Sequence, residues 1–175
     1  MTTALDESAR IDAIRRYDVL DTPPDGSFDR VTALAAQLFD VPIALVTIVD
    51  HDRIWFKSRY GLDDVEQIDR DPGLCASAVL QDEPYVVEAA RQDARTLANP
   101  LVSGKFGLQF YAAAPLRTTD GHRLGTLCIL DREPRMFSPR QADLLQRLSE
   151  IVMDEMELRL SALTAVRESQ ERATG

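Results

Sequence analysis

The chain has 175 residues, 45% of them apolar and 28% charged, with a net charge of −9 from 29 acidic against 20 basic side chains. That length fits one domain with a core large enough to stand without staples. The negative balance excludes non-specific attraction to nucleic acid or to an anionic membrane surface. The two cysteines, Cys75 and Cys128, stand far apart and in no Cys/His ligand pattern. They exclude a disulfide framework and a zinc site, and they suit a reducing compartment. The N-terminal residues lack an apolar signal core, and no run approaches the ~18 apolar residues of a membrane span. The expected location is the cytoplasm.

In chain order, Leu5 to Tyr17 carries Leu5, Ala9, Ile11 and Ile14 at helical spacing and stops before Pro23 and Pro24. A second helix is predicted from Ser27 to Phe39. There Phe28, Val31, Leu34, Ala35 and Leu38 form an apolar stripe, and Asp25 or Ser27 caps the free N–H groups. Ile43 to Val49 is a continuous β-branched run, the mark of a strand buried on both faces. Asp50 to Arg53 turns the chain into a second strand, Ile54 to Arg59, and the two make a hairpin. Gly61 to Pro72 reads as acidic and irregular, Gly73 to Leu80 as a short helix carrying Cys75, and Glu83 to Glu88 as a short strand whose Pro84 suits an edge. Ala89 to Gly107 reads as irregular. Leu108 to Leu116 and Arg123 to Asp131 form a second hairpin around Asp120-Gly121. Ser138 and Pro139 supply the N-cap and first position of the last helix.

Helices at the ends and strands in the middle predict an α+β fold. Its core is a central antiparallel sheet of about five to six strands, with the terminal helices on one face and loops and short helices roofing the other. Residues 1–167 form the single predicted domain, and 168–175 a frayed tail or the start of a linker. The last helix, Asp143 to Arg167, carries two apolar stripes. Leu144, Leu148, Ile151 and Leu158 form one; Met153, Met156, Leu160 and Leu163 form the other, about 100° around the axis. A sheet needs only one stripe, so the second either widens the core contact or, the expectation adopted here, meets a partner helix in a homodimer.

Several segments together resemble one family. They are Tyr17-Asp-Val-Leu-Asp-Thr-Pro-Pro24, Phe28-Asp-Arg-Val-Thr32, Val41-Pro-Ile-Ala-Leu-Val46, Trp55-Phe-Lys-Ser58 with Gly61-Leu62, Cys75-Ala-Ser-Ala-Val-Leu80, Asn99-Pro-Leu-Val102, Phe110-Tyr-Ala-Ala-Ala-Pro-Leu116 and Leu124-Gly-Thr-Leu-Cys-Ile-Leu-Asp131. In this order the set is similar to the GAF domain, in the bacterial subclass found ahead of diguanylate cyclase, histidine kinase and PAS modules. The resemblance implies a sheet with a helical layer behind it and a loop-roofed pocket in front. It implies a sensory or regulatory domain that binds a small molecule or relays a signal, with a downstream output domain or partner protein. The Asn-Lys-x-x-x-Phe-x-x-x-Asp-Glu run of cyclic-nucleotide-binding relatives is absent, and Cys75 is followed by Ala76 where bilin-binding relatives usually place His. The resemblance leaves the cofactor unspecified.

The pocket candidates are Trp55, Lys57, Cys75, Phe106, Phe110, Tyr111 and Cys128: aromatic walls, a cation for an acidic ligand, and two thiols. Phe56 and Arg59 stand beside them. Phe110, Ala112 and Ala114 share one face of their strand and Tyr111 and Ala113 the other; the sequence does not say which face holds the pocket. His51 and His122 fall in turns, no metal site is expected, and no Gly-rich phosphate loop, GxSxG or HExxH occurs. The chain is therefore expected to bind or relay and not to catalyse. Two alternatives stand: an enzyme like free methionine-(R)-sulfoxide reductase using Cys75 and Cys128, and a dimerisation module without ligand.

Overall fold

The protein is described by a computed structural model, over residues 3–71 and 73–175. Met1 and Thr2 of the N-terminal segment, and the Pro72 that ends the acidic stretch, lie outside the described residues. The six-stranded sheet is built from β1 (Ile43–Val49), β2 (Arg53–Tyr60), β3 (Gln67–Asp69), β4 (Tyr85–Val87), β5 (Phe110–Arg117) and β6 (Arg123–Asp131), in the order β3-β2-β1-β6-β5-β4. Every neighbouring pair is antiparallel. This is the predicted α+β architecture. β3 lies inside the stretch read as irregular; its three residues pair with Arg53 to Trp55 of β2.

The helices are α1 (Ala4–Tyr17), α2 (Gly26–Phe39), α3 (Cys75–Ala78), α4 (Pro100–Ser103) and α5 (Pro139–Thr174). Thr3 and Asp6 form a capping box at α1, Asp25 accepts from Ser27 N at α2, and Ser138 and Gln141 form a capping box at α5. Each satisfies N–H groups that the first helical turn leaves without partners. The last helix runs past the predicted Arg167 to Thr174, so the tail read as frayed is helical; an Arg172–Glu168 pair one turn apart lies in it.

Two apolar layers flank the sheet. Against α1, α2 and α5 lie Ala44, Val46 and Ile48 of β1, Phe110, Ala112 and Ala114 of β5, and Leu127 and Ile129 of β6. The small residues of β5 let α5 approach closely. On the other face, Leu45, Ile54, Phe56, Tyr111, Ala113 and Cys128 pack under α3 and the roof loops. A bulge in β2 breaks the alternation: Val46 pairs with Ser58 and Thr47 with Phe56, leaving Lys57 as the extra residue. Lys57 and Ser58 consequently both reach the helical side. Ser58 Oγ lies 2.9 Å from Thr32 Oγ1, and Lys57 donates to Thr22 Oγ1 (2.8 Å) and to the Pro23 carbonyl (2.9 Å).

The stripe assigned to a partner helix faces inward. Met153 is 6% and Met156 3% exposed, Leu160 packs on the same core, and Leu163 lines a cavity with Tyr17 and Phe28. The physical reason is that α5 meets β5 and also α1 and α2. A helix wedged between a sheet and two helices uses both rows. The large apolar residues left exposed on α5 are Ile151, Leu158 and Val166, at 52%, 66% and 54%.

Candidate functional site

The predicted pocket residues divide between the two faces. Trp55, Lys57 and Phe110 are on the helical side; Cys75, Phe106, Tyr111 and Cys128 are under the roof. The first three are therefore corrected out of a roof pocket. Trp55 and Phe110 alternate with roof-facing Phe56 and Tyr111, and Lys57, on the same face as Trp55, reaches the α1–α2 linker. Phe106 is half-buried at the roof margin, with the Arg132 guanidinium 4.6 Å from its ring centre.

The roof group centres on sulfur. Tyr111 Oη donates to Cys75 Sγ at 2.9 Å, and Thr126 Oγ1 donates to the same atom at 3.5 Å. Thr126 Oγ1 also lies 2.8 Å from Thr47 Oγ1, and Thr126 N donates to Thr47 Oγ1. These threonines are direct partners in the β1–β6 register, and Cys128 follows Thr126 on the same face of β6. Gly125 makes that register possible: a Cβ there would sit 1.8 Å from the Thr47 carbonyl oxygen. Cys75 is 6% exposed and Cys128 fully buried. Hydrogen bonding from Cys128, then from Thr126, Tyr111 and Thr47, pulls the Cys75 thiol below its ordinary range against the effect of burial. Burial and the neighbouring Cys75 push Cys128 well above it, and burial pushes Tyr111 up as well. The hydroxyl donors of Tyr111 and Thr126 are directed at Cys75 Sγ, which favours its thiolate.

Outside α3, a cleft of about 640 Å³ is lined by His51, Asp52, Arg70, Gly73, Leu74, Ala76, Ser77, Arg95 and Asn99. His51 is exposed in the β1–β2 turn, and His122 lies in the β5–β6 turn, 3.7 Å from Asp120. A second cavity of about 520 Å³, on the helical side, is lined mainly by Tyr17, Val19, Phe28, Met156, Leu163 and Val166, with Lys57 and Arg159. Burial first, then Arg159, lowers the Lys57 pKa, while Asp25 and Asp29 oppose the shift. Arg159 is held by Asp25 and by Glu155.

One functional contact escaped the sequence. Arg10 of α1 is buried, and its guanidinium donates to the Val49 carbonyl at 2.6 Å and to Glu7. Glu7 in turn accepts from Arg70 of the roof loop at 2.6 Å. Arg10 stands between Ala9 and Ile11 of the apolar row, and a cation at that place in a helix is the sequence signal for such a contact.

A six-stranded antiparallel sheet, helical behind and roofed in front, defines a class of sensory and regulatory domain. The family model described as the GAF domain matches residues 23–156, and the chain belongs to that family. A cyclic di-GMP phosphodiesterase of Pseudomonas aeruginosa is 38% identical over 149 residues, which is 85% of this chain and 25% of that protein. The chain thus spans about a quarter of that relative's length. Among solved structures, the GAF domain of Acinetobacter phosphoenolpyruvate-protein phosphotransferase superposes with a TM-score of 0.61 at 16% identity, over 91% of this chain and 98% of that one. Free methionine-R-sulfoxide reductase from Neisseria meningitidis gives 0.64 at 16% identity, over 93% and 96%. A domain of a Sinorhizobium meliloti two-component sensor histidine kinase gives 0.60 at 17%, over 80% and 94%. At these identities the structures share the fold alone. The sensory and regulatory reading stands with the family. The expectation of a purely non-catalytic protein is corrected: the Pseudomonas relative is by name an enzyme. Among the described residues no helix is long and apolar enough to cross a membrane.

Proposed function

We propose that this chain is a regulatory GAF domain in cyclic di-GMP signalling, working as a cytoplasmic homodimer with a downstream output domain or partner protein. The observation that carries the reading is the 38% identity over 85% of the chain to part of a cyclic di-GMP phosphodiesterase. The roof cluster of Cys75, Tyr111 and Cys128, with Phe106 at its margin, is the sensing site. Its route to the helices is physical. Arg70 of the roof loop is bonded to Glu7 of α1, and Tyr17 at the other end of α1 donates to Glu157 of α5. A shift of the roof loop moves α1, and α1 is tied to the helix that leaves the sheet. The dimer interface is the outer face of α5 around Ile151 and Leu158, one heptad apart and both exposed.

The test is genetic and chemical. The segment is excised in frame from the bacterium that carries it, and intracellular cyclic di-GMP is measured. The expected result is an altered level; an unchanged level across growth conditions overturns the cyclic di-GMP assignment.

A further inference from the structure

Two hydroxyl donors converge on one sulfur in the roof. Tyr111 and Thr126 each donate a hydrogen bond to Cys75 Sγ, Thr47 supports Thr126, and Cys128 stands beside Thr126 on the same face of β6. Neither cysteine is in a disulfide. A buried thiol normally serves as a small apolar residue with a weak donor, and such a role needs no pair of hydroxyl donors. Donors aimed at a sulfur favour its thiolate, the nucleophilic form. The two thiols also differ in access. Cys75 keeps slight exposure, and its chain neighbours Gly73, Leu74, Ala76 and Ser77 line the solvent cleft outside α3. Cys128 is completely enclosed.

We propose that Cys75 and Cys128 are a peroxide-reactive thiol pair, in which Cys75 is the attacking and Cys128 the resolving sulfur, and that they close to a disulfide joining α3 to β6. The Cys75 thiolate attacks one peroxide oxygen. An S–O bond forms, the O–O bond breaks, and the leaving hydroxide takes the proton that Cys75 had lost, giving water. The Cys128 sulfur then attacks the Cys75 sulfenic sulfur. The S–S bond forms, the S–O bond breaks, and the departing hydroxide leaves as a second water with the Cys128 proton. Two thiols supply two electrons and one hydrogen peroxide is reduced to two waters. Tyr111 and Thr126 position Cys75 and stabilise its charge. The disulfide fixes the roof helix covalently to a central strand of the sheet. The inference rests on the regulatory reading only for its consequence, because the chemistry is read on purified protein without reference to cyclic di-GMP.

The experiment treats the purified chain with hydrogen peroxide and maps its peptides by mass spectrometry. Met136, 90% exposed, serves as the internal gauge of oxidant delivery. The expected result is a linked Cys75–Cys128 peptide lighter by two hydrogens, formed before Met136 gains oxygen and reversed by dithiothreitol. In Cys128→Ser, Cys75 is expected to stop as a sulfenic acid trapped by dimedone; in Cys75→Ser, Cys128 is expected to stay reduced. Circular dichroism verifies that each variant is folded, and the wild-type result is decisive without them. Free thiols at both positions after Met136 is fully oxidised overturn the proposal. So does a Cys75–Cys75 link between chains, or over-oxidation of Cys75 with Cys128 unlinked.

Discussion

Arg70 Nη1 lies 2.6 Å from Glu7 Oε1, so a cation of the roof loop is held by a carboxylate of the first helix. Arg10 shares that carboxylate through Nε and Nη2, at 2.9 Å each, while its Nη1 donates to the end of β1. The three side chains make one joint between roof, sheet and helical layer. The Arg10 hydrogen bonds, and then Arg70, overcome partial burial and hold the Glu7 pKa down to about 2.

Because the folded pKa lies below the ordinary carboxylate value, the contribution of Glu7 is fully present above about pH 4.5 and is lost as the pH falls through about 2. Glu7→Gln is expected to lower stability at pH 7 by about 1–2 kcal/mol, after a discount for solvent screening. The gap between wild type and variant should close between those pH values. Urea unfolding at a series of pH values checks it, and a gap undiminished from pH 7 to pH 2 contradicts the assignment.

Gly125→Ala is a sharper test of the β1–β6 register. The new Cβ would stand 1.8 Å from the Thr47 carbonyl oxygen and 2.8 Å from Ile48 Cα, both backbone atoms that no rotamer change can move. The expected loss is about 3 kcal/mol, at the upper end for overpacking. Thermal unfolding should show a large drop in Tm, accompanied by loss of the Thr47–Thr126 contact in hydrogen exchange. A Tm within a degree or so of wild type, on the order of a negligible change for a domain of this size, contradicts the register.

Lys57 ties β2 to the linker between α1 and α2 through the Thr22 hydroxyl and the Pro23 carbonyl. Lys57→Met keeps an unbranched side chain and removes both bonds together with the ammonium that lies 5.5 Å from the centre of the Phe28 ring. The expected cost is about 1–2 kcal/mol, since the lost bonds have a charged donor but the carbonyl and hydroxyl regain water. Hydrogen exchange should accelerate at Val19 to Asp25 and leave β5 and β6 unchanged.

Much of this architecture was legible because local signals agreed with the global fold. The continuous run of β1, the Asp120-Gly121 turn and the Ser138-Pro139 cap each specify one structure without help from tertiary contacts. Features set by the partner element were not. Nothing local in Gln67-Ile68-Asp69 marks a strand; its pairing with β2 makes it one. The bulge at Lys57 depends on the β1 register, and by shifting the alternation it brings Ser58 to the helical side together with Lys57, which shares the face of Trp55. At the roof, Cys75 and Cys128 were named individually from the sequence. Their convergence with Tyr111, Thr126 and Thr47 needed the sheet to bring β1, β5 and β6 side by side. The second stripe of α5 is apolar in the sequence, but its neighbour is not legible there, because a count of stripes does not reveal how many elements a helix touches.

Met156 is buried against α1, α2 and the sheet, so Met156→Ala should cost about 2–5 kcal/mol in unfolding free energy. Leu158 points outward, and Leu158→Ala should change the unfolding of the isolated fold by no more than about 0.5 kcal/mol. Association should respond in the opposite way. Light scattering on the double variant Ile151→Glu with Leu158→Glu should report a monomer at concentrations where the wild type is a dimer, because like charges would face each other across the helix pair. A wild-type protein that is monomeric at every concentration removes the homodimer. A double variant that remains dimeric moves the interface off the outer face of α5, leaving the exposed Leu34 and Leu38 of α2 as the surface to alter next.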